Sequence, residues 1–319
     1  MGKKKLTAAV VGLGNIGLGY DLVHGNDYVQ THTKAFLADD GFELLFGVDP
    51  DSAKRSTFER FTKRPSYGSL TDAGKNFPSV DVISLCVGLN ERPALWDMIA
   101  SVQPKVVILE KPLGKSLTDG KQIVAWAAKN DISLFVNYIR RVEQSTQKLK
   151  TLLESKQYGA LTGIDIRYNG GFFNNASHYI DMMLFLLGRP NKVWHLEKRK
   201  DGQDLRVDFC LQYPSFKVYG NYACVDCPVG ELIFWCEKAQ ICYRKFGQEI
   251  EILTPQKDPV FRKFKELAHH RTMKTTMPYA MAHVVEHVRR AYHGKERLLS
   301  DGRSACETLE ICEHVLLNG

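Results

Sequence analysis

An apolar segment that ends in a glycine motif constrains the fold of this chain more than any other feature. Residues 6–11 read Leu-Thr-Ala-Ala-Val-Val, and Gly12, Gly14 and Gly17 follow with the spacing G-x-G-x-x-G. Gly12 allows a tight strand-to-helix turn, Gly14 lets the backbone approach a pyrophosphate, and Gly17 lets the helix pack closely on the strand. The first N–H groups of that helix would face the phosphates. The motif predicts a dinucleotide site; a glycine turn without a ligand is the alternative.

A second apolar run, Phe42–Val48, ends in Asp49 and strengthens this interpretation. A carboxylate at the end of the second strand can accept hydrogen bonds from an adenosine ribose. Asp49 follows Gly17 by 32 residues, whereas this spacing is typically about 20 residues. The difference falls in a polar, turn-rich stretch, residues 20–28. We expect this stretch to interrupt the first helix and to lie near the cofactor, where it could form part of a lid.

Val-, Ile- and Leu-rich runs alternate with helical stretches over the first 138 residues, as in parallel strands that are covered on both faces. We predict further strands and helices over this region, namely strands at 80–87, Val106–Leu109 and 134–138, and helices beginning near Thr31 and Asp51 and spanning 93–102 and 118–129. This βαβ winding predicts an α/β, Rossmann-type dinucleotide-binding domain over residues 1–138.

From residue 139 to 319 the pattern is that of an α+β domain with a mostly antiparallel, open sheet. One helix carries Leu149, Leu152 and Leu153, and another runs from about residue 176 to 187 and stops at Gly188. Strand-like runs cover residues 164–168, 193–200, 205–213, 217–225, 232–237 and 240–246. We expect the chain from about residue 260 onwards to be helical, including 277–293, 304–317 and the basic stretch around His269–His270.

Apolar side chains on the second sheet, among them Phe234, Trp235 and Tyr243, would be exposed if one sheet face carries no helices. Burial between copies of the chain removes such surface from water. We therefore expect residues 139–319 to bind substrate and to mediate oligomerisation, as a homodimer or homotetramer.

Composition argues against several classes of protein. The 319 residues carry a formal net charge of +7, with 44% hydrophobic and 25% charged residues, which is ordinary for a globular protein. No run approaches the ~18 apolar residues of a membrane span, and no apolar segment follows the basic start as in a secretory signal. The mild charge does not predict nucleic-acid binding. We expect a cytoplasmic protein that does not bind membranes or nucleic acid and acts on a small molecule.

Two metal-like patterns are discounted, and no metal site is predicted. Cys224 and Cys227, followed by Cys236 and Cys242, could hold zinc, but the second pair lacks the C-x-x-C spacing. Buried core thiols fit these strand-like runs better. The H-x-x-E-H pattern at residues 283–287 matches inverted zinc proteases, but five residues match by chance in a helix rich in His and Glu.

The strand Val106–Leu109 delivers Glu110, Lys111 and Pro112 to its carboxyl end. In an open parallel sheet that end faces the ligand crevice. A lysine held there is partly desolvated and close to a cationic nicotinamide, and both effects lower an ammonium pKa towards the range useful for proton transfer. Lys111 is therefore a candidate catalytic residue; a surface lysine in a turn is the alternative.

A third segment places an amide, an imidazole and a carboxylate at helical spacing. Asn174 and His178 are four residues apart, and Asp181 follows three residues later. Residues at this spacing share a helix face. Asp181 could orient His178, as a carboxylate does for a general base. The alternative is an N-cap at Asn174 or Asn175 and a core histidine at position 178.

These segments together resemble the Gfo/Idh/MocA oxidoreductases, the family of glucose–fructose oxidoreductase and inositol dehydrogenase. The resemblance rests on the glycine motif, on Glu110-Lys111-Pro112, on Asn-Tyr-Ile-Arg-Arg at 137–141, and on the run from Gly171 to Asp181, in this order and spacing. It covers almost the whole chain. It implies an NAD(P)-dependent oxidoreductase that acts on a sugar, a cyclitol or a nucleotide-linked sugar.

The resemblance also implies roles for residues. Lys111 matches the lysine that contacts the reacting hydroxyl and the nicotinamide ribose, and His178 matches the catalytic histidine. The catalytic candidates are Lys111, His178, Asn174 and Asp181. The cofactor-binding candidates are Gly12, Gly14, Asn15, Ile16, Gly17, Asp49, Val87, Gly88, Glu110, Lys111 and Pro112. The substrate-binding candidates are Asn137, Arg141 and Asn175.

Two departures from the family's pattern bear on the reaction. The residue four before the histidine is often Asp, but here it is Asn174, which cannot act as a base, so proton abstraction falls on His178 or Lys111. Where many members read Thr-Pro-x-x-x-His, this chain reads Cys-Val-Gly-Leu-Asn-Glu-Arg-Pro over residues 86–93. The missing histidine leaves part of the usual substrate wall unassigned.

Alternatives remain open for both the cofactor and the activity. Asp49 favours NAD over NADP, because a 2′-phosphate would meet its charge, but Lys54 and Arg55 nearby weaken that preference. A dinucleotide-binding regulator of the same fold is the alternative to a dehydrogenase. A redox-neutral, NAD-assisted glycoside cleavage is a third and smaller possibility.

Overall fold

The computed structural model describes residues 4–22, 27–202 and 204–319. They form two compact units. The first comprises the chain up to Val142 together with Pro278–Glu307, and the second comprises Glu143–Met277 and Thr308–Gly319. The end of the first segment lies close to the predicted boundary after residue 138. Residues 278–307, however, lie in the first unit and not, as predicted, with the rest of 139–319.

The first unit is built on a parallel sheet. Its strands are β1 (Leu6–Val11), β2 (Phe42–Val48), β3 (Ser66–Tyr67), β4 (Val82–Leu85), β5 (Val106–Leu109) and β6 (Ser133–Val136). The strand order is β3-β2-β1-β4-β5-β6, and neighbouring strands pair in parallel. In this doubly wound arrangement the order reverses between β1 and β4, and ligands bind at the carboxyl ends of the strands there. The predicted Rossmann fold is confirmed.

The helices, in chain order, are α1 (His32–Ala38), α2 (Ser52–Thr62), α3 (Leu70–Asn76), α4 (Trp96–Ser101), α5 (Leu117–Lys129), α6 (Gln144–Glu154), α7 (Ser177–Leu187), α8 (Ala280–Tyr292) and α9 (Gly302–Leu317). Side-chain caps explain two of the predicted starts. The side chains of Thr31 and Asp51 accept hydrogen bonds from the N–H groups of Lys34 and Ala53, which the first turn of a helix otherwise leaves unpaired.

The predicted interruption of the first helix lies directly after the glycine motif. In a continuous helix the carbonyls of Ile16 and Gly17 accept hydrogen bonds from residues four positions further on. Here they accept them from the N–H groups of His32 and Thr33, at 3.2 and 3.1 Å. The helix therefore resumes at His32 after a looped-out segment. Without that segment, the spacing from Gly17 to Asp49 is the usual value of about 20 residues.

The looped-out segment begins with a 3-10 helix, Gly19–Leu22. Asp21 closes the loop, because its buried carboxylate accepts the N–H and the hydroxyl of Thr31 at 2.8 and 2.7 Å. Residues 23–26 of the predicted lid lie outside the described residues, and the lid stays a prediction.

Helix α8 explains why residues 278–307 belong to the first unit. Its apolar face, with Met281, Val284 and Val288, lies in the same buried cluster as Ala35 and Phe36 of α1. This packing removes both apolar faces from water. The sequence showed an amphipathic helix here but not which sheet it covers.

The second unit is an α+β fold on a mostly antiparallel sheet, as predicted. Its strands are β7 (Leu161–Tyr168), β8 (Lys192–Asp201), β9 (Asp204–Gln212), β10 (Lys217–Tyr222), β11 (Gly230–Cys236), β12 (Ala239–Arg244), β13 (Glu249–Lys257) and β14 (Lys265–Lys274). The order is β14-β13-β12-β11-β7-β10-β9-β8, and only the β7–β10 pair among these is parallel. Leu149, Ile180 and Ile311 bring α6, α7 and α9 into its core.

Two expectations for this unit are wrong. The region from about residue 260 was expected to be helical, but His269 and His270 lie on strand β14. Nearly every residue of β14 is exposed, so the strand carries no alternation of apolar and polar residues for a sequence pattern to detect. The four clustered cysteines were expected in the core; Cys242 is buried, but Cys224 and Cys227 are exposed.

Candidate active site

The glycine motif forms a cradle at the carboxyl end of β1. Gly12 has a left-handed φ of +93°, and an added Cβ would lie 2.6 Å from the Cys86 carbonyl oxygen. A Cβ at Gly17 would collide with the Gly12 carbonyl oxygen. At Gly14 the space around an added Cβ is open to 4 Å, so a ligand can approach the backbone there. The three glycines therefore fit a dinucleotide pyrophosphate.

Asp49 lies at the carboxyl end of β2 and is tied to this cradle. Its buried carboxylate accepts the Leu13 N–H through Oδ2 at 2.8 Å and the Asp51 N–H through Oδ1 at 2.9 Å. The Lys54 ammonium lies 3.9 Å from Oδ2, and Arg55 donates to the Asp49 carbonyl at 2.9 Å. Two cations thus flank the acid at the strand end where Rossmann folds bind the ribose.

The two other predicted contacts in the turn differ in exposure. Asn15 is exposed, and Ile16 is half-buried. The Ile16 carbonyl is used within the protein, since it accepts the His32 N–H. Backbone N–H groups at the start of a helix are suited to bind phosphate.

Glu110, Lys111 and Pro112 follow β5 as predicted, and the Lys111–Pro112 peptide bond is cis. Glu110 is the centre of a hydrogen-bond network. Its Oε1 lies 2.9 Å from His32 Nε2 and accepts Asn137 Nδ2 at 2.6 Å. Burial disfavours a charged carboxylate here, but the bonds from His32 and Asn137 and the charge of Lys111 outweigh burial and lower the pKa of Glu110. An ionised carboxylate therefore precedes Lys111, which is itself half-buried.

His32 is a site residue that sequence reasoning missed. It is fully buried, and its second ring nitrogen, Nδ1, lies 3.0 Å from Ser84 Oγ. Because the Glu110 carboxylate is ionised, His32 Nε2 is the donor of their hydrogen bond. His32 is the first residue of α1, where the looped-out segment returns the chain to the helix. The N-cap at Thr31 was the available signal for that position.

Two predicted substrate contacts lie inside the first unit. Asn137 is 3% exposed, and its Nδ2 is bonded to Glu110. Arg141 is 7% exposed, and its Nη1 donates to the Leu299 carbonyl at 3.2 Å. Both side chains are bonded within the protein, and their contact with a substrate stays a prediction.

Val87 and Gly88, the remaining predicted cofactor contacts, follow β4 and are half-buried and exposed respectively. The same loop contains Arg92, which sequence reasoning also missed. Arg92 is buried and donates to carbonyls of its own loop and of the loop that carries Lys111. A basic residue directly before Pro93 was the only local signal.

In the second unit, a π-helical turn, Phe172–Ala176, leads into α7 and carries Asn174. Asp204, at the start of β9, holds this turn, because its carboxylate accepts the N–H groups of Phe173 and Asn174 at 3.1 and 3.0 Å. Asn174 Nδ2 donates to the Gly170 carbonyl at 3.1 Å. Such turns are rare and occur frequently at functional sites. Asp204 was not predicted, since it lies 30 residues from Asn174 in the sequence.

His178 lies in the first turn of α7 and is half-buried. Asp181 is fully buried and accepts the Thr308 hydroxyl of α9 at 2.8 Å. The predicted substrate contact Asn175 donates through Nδ2 to the Asn169 carbonyl at 2.6 Å. The roles proposed for these three side chains in catalysis and binding stay predictions.

The discounted H-x-x-E-H pattern contains a structural histidine. His287 Nε2 accepts the Leu299 N–H at 3.0 Å, and Nδ1 lies 2.9 Å from Glu296 Oε1. Burial lowers the pKa of His287, against the opposing effect of Glu296. Across residues 4–22, 27–202 and 204–319 no group of three or more His, Cys, Asp or Glu side chains could hold a metal ion. No helix in that part of the chain is long and apolar enough to cross a membrane.

Known proteins resemble the first unit in sequence and the whole chain in fold. The profile of the Gfo/Idh/MocA family, described as an oxidoreductase family with an NAD-binding Rossmann fold, matches residues 6–138. A protein named "Uncharacterized oxidoreductase YrbE" from Bacillus subtilis is 26% identical over 125 residues. That match covers 35% of this chain and 36% of the relative, so this chain matches little more than a third of that protein's length.

Two crystal structures share the fold at low sequence identity. An oxidoreductase from Agrobacterium radiobacter, solved with NAD+, L-tartaric acid and magnesium, is 16% identical, with a TM-score of 0.74 over 98% of this chain and 96% of that one. The WlbA dehydrogenase from Bordetella pertussis, solved with NADH and UDP-GlcNAcA, is 18% identical, with a TM-score of 0.74 over 99% of this chain and 96% of that one. At these identities the likeness shows the fold. The resemblance to the Gfo/Idh/MocA oxidoreductases is thereby confirmed for residues 6–138, which match that family's NAD-binding Rossmann domain.

Proposed function

We propose that this chain is an NAD-dependent dehydrogenase that transfers a hydride between nicotinamide and the hydroxyl-bearing carbon of a sugar, cyclitol or nucleotide-linked sugar. One observation carries the proposal: the Glu110-Lys111-Pro112 loop follows β5 on the same sheet edge as the glycine cradle after β1, with only β4 separating the two strands. The WlbA dehydrogenase, solved with NADH and UDP-GlcNAcA, supports a nucleotide-linked sugar as the first substrate class to test.

Bound NAD+ supplies the hydride acceptor. The ammonium of Lys111 donates a hydrogen bond to the reacting hydroxyl and stabilises the negative charge that develops on its oxygen. Neutral His178 takes the hydroxyl proton as the carbon loses its hydride. Asn174 and Arg141 help to place the substrate. An amide can hold a hydroxyl group but cannot take its proton, so Asn174 has no share in the proton transfer.

The test offers NAD+ and a panel of sugars, cyclitols and nucleotide-linked sugars to the purified protein and follows NADH absorbance. Lys111→Ala and His178→Asn are compared with exposed control lysine and histidine variants, Lys115→Ala and His270→Asn. General acid–base groups contribute about 10²–10⁴-fold to rate, so we expect kcat to fall by that range in the first two variants. We expect the controls to keep wild-type kcat and calorimetry to show nearly intact NADH affinity in all four variants.

A dinucleotide-binding regulator remains the second candidate because of one observation, the amide at Asn174 in place of the frequent carboxylate. Tight NADH binding with no NADH formed from any compound of the panel would favour that function and refute the dehydrogenase. Wild-type turnover by Lys111→Ala would refute the role of Lys111. Product formed without net NADH would point to the redox-neutral reaction.

A further inference from the structure

Arg92 is a buried arginine, 3% exposed, at the start of a 3-10 helix, Arg92–Leu95, after β4. Its guanidinium makes main-chain contacts in two loops. Nη2 donates to the Glu110 carbonyl at 2.7 Å, Nη1 to the Pro112 carbonyl at 2.6 Å, and Nε to the Val87 carbonyl at 3.3 Å. Loop carbonyls lie outside the regular hydrogen bonding of a sheet or helix, and these bonds supply each of the three with a donor.

The bonded carbonyls lie on both sides of Lys111. One belongs to Glu110, immediately before it, and the other to Pro112, immediately after it. Nη1 also approaches the Leu113 carbonyl at 3.3 Å. The guanidinium therefore holds the backbone on both sides of Lys111. Its bond to the Val87 carbonyl holds the loop after β4 against the Lys111 loop.

Only an arginine has the donors for this arrangement. A guanidinium presents five N–H groups in a planar fork, whereas a lysine ammonium is a single compact charge that cannot reach separate carbonyls from one position. Burial lowers the pKa of Arg92 to about 10, partly offset by the charge of Glu110. At neutral pH all five donors are therefore present.

We propose that Arg92 is a positioning residue for hydride transfer: its guanidinium holds the Val87 loop and the Lys111 loop in register and so fixes the position of the Lys111 ammonium. This inference rests on the proposed function. Arg92 itself touches neither cofactor nor substrate in this proposal; it acts through the backbone of the residues that do.

The test compares Arg92→Lys and Arg92→Ala with a core truncation in the same unit, Val288→Ala, which removes a fully buried side chain of α8 and lowers stability. A misplacement of about 1 Å can cost 10²-fold in rate, so we expect both Arg92 variants to lose about that much kcat with a smaller change in NADH affinity. Guanidinium ion, added below the concentration that unfolds the protein, should restore part of the Arg92→Ala rate and none of the Lys111→Ala rate.

A second readout needs no turnover. Mass spectrometry after brief acetylation compares the labelling rate of Lys111 with that of exposed Lys115 in each protein, and hydrogen exchange is followed over residues 110–114. Faster exchange and a changed Lys111/Lys115 labelling ratio in Arg92→Ala, but not in Val288→Ala, support the proposal even if the substrate panel gives no product. Unchanged labelling and exchange, wild-type kcat, or equal losses in Arg92→Ala and Val288→Ala would overturn it.

Discussion

Separating His32 from Glu110 should cost the first unit about 3 kcal/mol of unfolding free energy. Their contact is 2.9 Å long, and the two side chains are 0% and 14% exposed. Removing the partner of a buried charge costs about 3–5 kcal/mol, because the charge, here the Glu110 carboxylate, loses its compensation. Asn137 stays bonded to Glu110 at 2.6 Å after His32 is removed, so His32→Ala should lie at the lower end of that range. A hydrogen bond to a charged group contributes about 1.5–3 kcal/mol, which is the coupling expected in a double-mutant cycle.

The assay is native-state hydrogen exchange at β5, which reports the opening of the first unit by itself. The cycle uses His32→Ala, Glu110→Gln and the double variant. Its control is the exposed pair Lys105–Asp131, which is 2.8 Å apart with 58% and 91% of the side chains exposed. Exposed pairs contribute about 0–1 kcal/mol, so the control cycle should give little coupling. Equal coupling in the two cycles would show that burial adds nothing to the His32–Glu110 contact.

The His32–Glu110 pair also predicts the direction in which stability changes with pH. The pKa of Glu110 is lowered below 4.5 in the folded protein, so the unfolded chain binds the proton first as pH falls. The stabilisation from the ionised carboxylate is complete above the unfolded pKa and is lost as pH falls through the folded pKa. The difference in stability between wild type and Glu110→Gln should therefore shrink in that acid range. A difference that grows there would contradict the argument.

Three further perturbations test other parts of the structure. Gly14→Ala should leave stability nearly unchanged, because its Cβ meets open space, yet raise the NADH Kd at least about tenfold, or 1.4 kcal/mol. Gly17→Ala should instead lower the unfolding free energy by about 1–3 kcal/mol through overpacking. Equal effects of the two variants in urea unfolding and in NADH titration would contradict this. Asp204→Asn should lower kcat/KM about tenfold, because the π-helical turn loses its charge-assisted hydrogen bonds, while NADH affinity stays the same. A loss confined to NADH affinity would count against this role of Asp204. Burial lowers the pKa of His287 below 6.5, so unfolding free energy should fall as pH drops below that value; His287→Gln should flatten the urea-midpoint profile, and an unchanged slope would disprove the assignment.

The first sheet could be predicted because each of its strands is marked by the composition of a few consecutive residues. Buried parallel strands read as continuous apolar runs, and β1, β2 and β5 begin and end at the predicted residues. Strand β14 could not be predicted in this way. It is an exposed edge strand, without the burial that makes apolar and polar residues alternate. The packing of α8 on the first unit depends on contacts with α1 that are remote in the sequence.

Some residues of the candidate site could likewise be predicted from the sequence, and others could not. Glycines and the Glu110-Lys111-Pro112 loop are recognisable because each role is set by a few consecutive residues. His32 and Arg92 are not, since His32 meets Glu110 across 78 residues and Arg92 meets the Glu110 carbonyl across 18. In the sequence such a histidine or arginine cannot be distinguished from an ordinary polar residue, because its hydrogen-bond acceptors come from distant segments.

The central claim is that the open space beside Gly14 receives the pyrophosphate of NAD. Calorimetric titration of NADH into the wild-type protein and into Gly14→Ala measures this directly. We expect saturable binding of one NADH per chain in the wild type and at least about tenfold weaker binding in the variant, with unfolding midpoints that coincide. Absence of NADH binding to the wild type, or equal affinity in the two proteins, would contradict it.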